Sequence, residues 1–218
     1  WIERHFLGLP ATDADPIDPV LRVWWDTFRQ QAPPLPAGRR FVEAGLTVPI
    51  GNHFLTGRFD LLVVSEDGAG PPAAHVFDWK TGDPRPLDRL RAAWQTRVYL
   101  AVLAQGGAAL ASDLAPAFAP DRLSFTYWYA ADPDRPRVIH YDVAAHHRNW
   151  ADLEALVSRI DGLLGSGEDA WQLTDDLSAC RHCAYQALTG RLAAGEAQSE
   201  PADEEEPLPD DWLEPQWG

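Results

Sequence analysis

The spacing of apolar and polar residues changes several times along the chain, and each change marks an element. Pro19 to Gln31 (PVLRVWWDTFRQQ) has helical spacing and is closed by the Pro-rich stretch APPLPAG at Ala32 to Gly38. Three runs rich in Val, Leu, Phe and Thr follow, at Phe41 to Pro49, Leu55 to Val64 and Ala73 to Lys80. The loop EDGAGPP separates the last two. They predict three consecutive antiparallel strands. Leu87 to Gln105 carries one long helical pattern, Leu123 to Tyr129 and Arg137 to Val143 are strand-like, and Ala151 to Leu164 is an amphipathic helix. The order predicts an α/β domain, a mixed central sheet flanked by helices, over residues 1–192.

Composition adds limits. A chain of 218 residues with 45% hydrophobic positions can build a core without a disulfide or metal staple. Its two cysteines, Cys180 and Cys183, do not make a secreted disulfide scaffold and fit a reducing cytoplasm. The longest apolar run, Val98 to Ala104, is too short to span a bilayer, so no membrane partner is expected. The start at Trp1 and the lack of any methionine imply a natural start upstream.

The formal charge is −15, but nine of the 33 acids lie from Glu196 to Gly218, where there is no base. The 24 remaining acids against 18 bases leave the body at about −6. Such a body can still carry a local cationic groove for nucleic acid. Residues 193–218 have the composition of a solvated, disordered tail. Trp212, Leu213 and Trp217 within it could dock on a protein partner or on this chain's own site, and a merely solubilising tail is the equal alternative.

Lys80 is the single lysine beside seventeen arginines. A compact ammonium can orient water or stabilise an oxyanion as a planar guanidinium cannot. Asp78, two residues earlier on a strand, shares its face. A hairpin turning near Ser65 to Pro72 brings in Asp60 from the preceding strand. Two carboxylates and the backbone carbonyl of Trp79 suit Mg²⁺; a simple ion pair between Asp78 and Lys80 is the competing reading. On the following helix Gln95 and Tyr99 are neighbours at i, i+4, with Arg91 a turn earlier. They form either an ordinary polar face or a hold on phosphate.

These residues resemble, in order and spacing, the PD-(D/E)xK nuclease superfamily and its RecB-like branch. Asp60 in GRFD is similar to the first acidic motif, with Phe59 in the place of the nominal proline. Asp78-Trp79-Lys80 is similar to the (D/E)xK motif and QTRVY, Gln95 to Tyr99, to the QxxxY motif. The resemblance runs from about Phe41 to Thr189 and implies a restriction-endonuclease-like fold. It also implies a DNA nuclease of repair, recombination or defence, with Mg²⁺ or Mn²⁺ on Asp60 and Asp78. Lys80 would position the attacking water, and Gln95, Tyr99 and Arg91 would support the site and the DNA. A catalytically weak nucleic-acid-binding module is the alternative.

Two departures stand out. Relatives carry a metal-site histidine on an N-terminal helix; His5 is not assigned that role, and His53 reads as a strand or turn residue. SACRHCAYQALTGR resembles a C-terminal iron–sulfur cysteine cluster, but Thr189 stands where a third cysteine belongs. Two thiolates cannot close the site, so no cluster is expected. Zinc would need His182, His146 or His147.

Overall fold

The computed structural model describes residues 1–9, 18–65, 72–110 and 118–167. The Cys180–Cys183 pair and the acidic tail lie outside them. Contacts group the chain into a unit Trp1–Ser158 and a second unit Arg159–Gly218. The described elements lie in the first unit, except the end of the last helix. Among the described residues no helix is long and apolar enough to cross a membrane.

A short helix α1 (Ile2–Phe6) comes first, and α2 (Pro19–Gln31) follows. Asp18 caps α2 by accepting from the N–H groups of Val20 and Leu21, and Pro19 occupies the first turn, where its missing N–H costs nothing. The helix stops at Ala32, which is extended because Pro33 follows.

The sheet has five strands in chain order: β1 (Arg39–Ile50), β2 (His53–Ser65), β3 (Ala73–Lys80), β4 (Leu123–Tyr129) and β5 (Arg137–His140). β2 runs antiparallel to both β1 and β3, as the three apolar runs predict. β3 and β4 are parallel, so a crossover must join them, and β5 returns antiparallel. The result is a mixed sheet flanked by helices, a restriction-endonuclease-like α/β fold. β4 is buried along its whole length, as expected for a strand covered on both faces.

The crossover departs from the single helix expected over Leu87 to Gln105. It forms α3 (Leu87–Ala92) and α4 (Trp94–Gly106), with Ala93 extended between them (ψ 138°). The Thr96 hydroxyl donates to the Leu90 carbonyl at 2.5 Å, taking the acceptor that Trp94 N–H would use in a continuous helix. α4 then lies against the sheet with Leu100 to Ala104 buried. Its partners in the main core include Leu46, Phe59, Leu62, Val76 and Phe125. The last helix, α5 (Val143–Gly165), starts eight residues before the expected Ala151. Asp142 accepts from Ala145 N–H at 2.6 Å, ending β5 before Val143 and capping α5 there.

Gly38 sets how β1 enters the sheet. Its φ is +154°, and a Cβ there would lie 2.2 Å from the Val64 carbonyl oxygen, a backbone atom that cannot swing away. Gly45, in the same strand, has nothing within 4 Å of a Cβ. Gly38→Ala should cost about 3 kcal/mol in urea unfolding, and Gly45→Ala should be close to neutral. Equal stability for the two variants would contradict this entry geometry.

Candidate active site

The site forms where the pairing between β2 and β3 ends. The last paired residues of these strands are Leu61 and Phe77, and one further step of that register sets Asp60 opposite Asp78. Asp60 makes the next bond with its side chain: its Oδ2 accepts the Trp79 backbone N–H at 3.2 Å. The hairpin thus joins the two carboxylates that lie eighteen residues apart in sequence.

Asp78 is 3% exposed. Its Oδ1 accepts from Gln95 Nε2 at 3.0 Å, and its Oδ2 lies 3.1 Å from Lys80 Nζ. The i, i+2 placement on one face is realised, and Gln95 reaches Asp78 from the following helix. The Gln95 amide is held the right way round because Tyr127 donates its hydroxyl to Gln95 Oε1 at 3.2 Å, leaving the NH₂ to face Asp78. Tyr127 also meets Thr96 Oγ1 at 2.8 Å, and its ring lies 5.8 Å under Lys80 Nζ. A polar chain therefore runs from the helix break at Leu90 and Thr96 through Tyr127 and Gln95 to Asp78 and Lys80.

Tyr99, one turn along α4, packs its ring edge-on against Phe59 at 5.1 Å, next to Asp60 in sequence. Arg91 is exposed on α3. The break at Ala93 separates it from the Gln95–Tyr99 face, so the expected continuous stripe from Arg91 is not formed. His53 begins β2, seven residues and roughly 23 Å along the strand from Asp60. His5 packs among aromatic rings, 5.9 Å from Trp25 and 5.7 Å from Phe28. His146 meets the Tyr141 hydroxyl at 3.3 Å and Gln105 Nε2 at 3.4 Å.

Glu43 is a neighbour that sequence patterning does not reveal. It stands in β1 at the register position facing Asp60, with φ +49°, an uncommon conformation for a residue with a side chain. The alternation of faces skips at this point. Phe41 and Ala44 both join the core under α4, as do Phe59 and Leu62, whereas Val42 and Leu61 pack on the other side. Glu43 is ion-paired with Arg58 at 2.7 Å and lines the same cavity as Asp60, Trp79 and Lys80.

Burial, and then the Asp78 charge, push the Asp60 carboxyl up to about 6. Among the described residues no three His, Cys, Asp or Glu side chains form a metal-binding group. The donors are two hard carboxylates of like charge facing each other, one of them reluctant to ionise beside the other. That set fits a divalent cation that keeps most of its waters.

A sequence model of the PD-(D/E)XK nuclease superfamily matches residues 11–188. No curated protein matches.

Because the folded pKa of Asp60 lies above the ordinary 3.8, its ionisation costs stability. The cost is absent below the ordinary value, grows as pH rises between the two values, and is complete above about 6. Asp60→Asn removes it while keeping an oxygen for Trp79 N–H. In EDTA the variant should melt a few degrees above the parent at pH 8, with the gap narrowing towards pH 5. A variant melting no higher than the parent at pH 8 would contradict the burial of a charged Asp60.

Proposed function

The chain belongs to the PD-(D/E)XK nuclease superfamily, and on that premise we propose that it is a metal-dependent deoxyribonuclease of the RecB-like kind, acting in DNA repair, recombination or defence. The observation that carries this reading is the buried Asp78, held by Gln95 and Lys80 and facing Asp60. An ordinary strand-end ion pair would not need the amide of Gln95 or a second opposed carboxylate.

Asp60 and Asp78, with the Trp79 backbone carbonyl, are the residues that would hold Mg²⁺ or Mn²⁺. When bound, the ion supplies charge for the phosphoryl oxygens and lowers the pKa of water. Lys80 does the rest from a fixed post. Its ammonium is anchored on Asp78 in a side chain that is 27% exposed, which sets it where an attacking water and the charge that grows on phosphate oxygens would meet it. Gln95 restrains Asp78 and Tyr99 backs the strand carrying Asp60, so both act as positioning residues that also support the DNA. Arg91, exposed on α3, would meet backbone phosphate.

In cleavage assays on linear and circular single- and double-stranded DNA with Mg²⁺, Mn²⁺ or EDTA, the parent should cut only with metal. Asp78→Asn and Lys80→Ala should lower the rate at least about 100-fold while leaving the circular-dichroism spectrum unchanged. Wild-type cutting by either variant rejects the site. Binding without cutting by the parent favours a nucleic-acid-binding module that keeps the fold.

A further inference from the structure

From Asp60 back to His53, β2 pairs with β1 alone, so this part of the sheet is a two-stranded ribbon leading away from the site. Its two faces differ. Leu46, Val48, Ile50 and Phe59 are buried on the side of α4. The alternate positions, Gly45, Thr47 and Pro49 on β1 and Arg58, Thr56 and Phe54 on β2, are all exposed, and the register pairs them one to one. Asp60 continues this row two residues beyond Arg58. From Ala44 to Phe59 there is no Asp or Glu, in a protein with 33 acids. The Arg58 side chain is 74% exposed, and Glu43 holds its Nε at 2.7 Å, which tethers the guanidinium beside the site. Thr47 and Thr56 share a hydrogen bond at 3.0 Å; one hydroxyl donates, so the proton of the other is left for an outside acceptor. Phe54 is 74% exposed, more than any other large apolar side chain among the described residues.

We infer that this row is a track for a nucleic-acid strand running from the site along the β1–β2 hairpin, with Arg58 and the threonine pair on its phosphates and Phe54 on a base near the hairpin turn. The inference rests on the nuclease reading and gives that site an extended binding surface. Three observations carry it. The row is continuous with Asp60, so a strand cut there has to leave across some neighbouring face, and this one is uncovered. Its polar groups are one cation and two hydroxyls, the types that contact phosphate, and in an acidic chain this acid-free ribbon is where a polyanion meets little repulsion. The spacing also fits. A β-strand rises about 3.3 Å per residue and one strand of DNA about 3.4 Å per nucleotide, so side chains two residues apart fall on every second nucleotide and Phe54 lies about six nucleotides from Asp60. An aromatic ring at that end adds affinity without reading sequence, because every base has a π-face.

The test uses the full chain carrying Asp78→Asn, to suppress cutting, and fluorescein-labelled 12-mers in Mg²⁺ read by anisotropy over a salt series. Arg58→Ala should weaken binding about tenfold and lower the slope of log affinity against log salt by about one, the mark of a lost phosphate contact; Arg58→Lys should keep the slope. Phe54→Ala should weaken binding about tenfold with the slope unchanged, and Phe54→Trp should restore it. Both positions are exposed, so the circular-dichroism spectrum should not change, and Val143→Ala, 49% exposed at the start of α5, should bind as before. With Asp78 intact, Phe54→Ala should raise KM for cutting about tenfold while kcat holds, an effect absent on 4-mers too short to reach the ring. Unchanged affinity in Phe54→Ala, or an unchanged salt slope in Arg58→Ala, overturns the inference. So does sedimentation showing that the protein pairs with a second copy through Phe54 while DNA binding is indifferent to that ring. Cutting separates the two levels. A parent that binds along this row but cuts no DNA with metal removes the nuclease reading and leaves the track, whereas a parent that cuts, with KM indifferent to Phe54 and Arg58, removes only the track.

Discussion

Keeping the Asp78 carboxylate out of water is the constraint on which the rest of the site depends. A buried carboxylate costs several kcal/mol unless it is both paired and hydrogen-bonded. Here the pair comes from the same strand, two residues on, and the hydrogen bond comes from a different element, α4. The helix can deliver Gln95 only if it begins near the strand end. It does so because Thr96 takes the Leu90 carbonyl and the chain turns at Ala93. The same break frees the N-terminus of a thirteen-residue helix beside the carboxylate, a placement that favours negative charge. Tyr127, from the strand parallel to β3, ties the arrangement together by meeting both Gln95 and Thr96.

Asp60 is governed by the opposite logic. It is half-buried with less compensation, and the nearby Asp78 makes its ionisation harder still. The left-handed Glu43 across from it adds a third negative group and skips the pleat of both β1 and β2. A non-glycine residue in that conformation costs on the order of 1 kcal/mol or more and persists only where its surroundings demand it. The strain and the opposed charges coincide at one point of the sheet. Opposed carboxylates of this kind gain from a bound divalent cation.

Most elements and the antiparallel run of the first three strands were legible because each has a clean period and each is bounded by proline, glycine or a cap. So were Asp78 and Lys80, whose separation of two is fixed by the pleat, and Asp60, which the hairpin returns to them. What could not be read depends on relations between elements. The break at Ala93 arises from one hydroxyl competing for a carbonyl, inside a stretch whose apolar spacing is helical throughout. Glu43 gains its place through strand register and a reversed φ. Trp24 and Trp128 lie more than a hundred residues apart and share a cavity only through tertiary packing.

The lone lysine of the chain also acquires a reason. An arginine at position 80 would offer a planar fork that matches both oxygens of Asp78 and tends to satisfy itself there. The ammonium of Lys80 meets one oxygen at 3.1 Å and leaves the other to Gln95. With its side chain 27% exposed, it can stay fixed by Asp78 and still face the cavity. A guanidinium held by both carboxylate oxygens would close off the oxygen that Gln95 occupies, and Gln95, Tyr127 and Thr96 would lose the acceptor around which they are ordered. The choice of ammonium at this position is therefore coupled to the helix break thirteen to sixteen residues downstream.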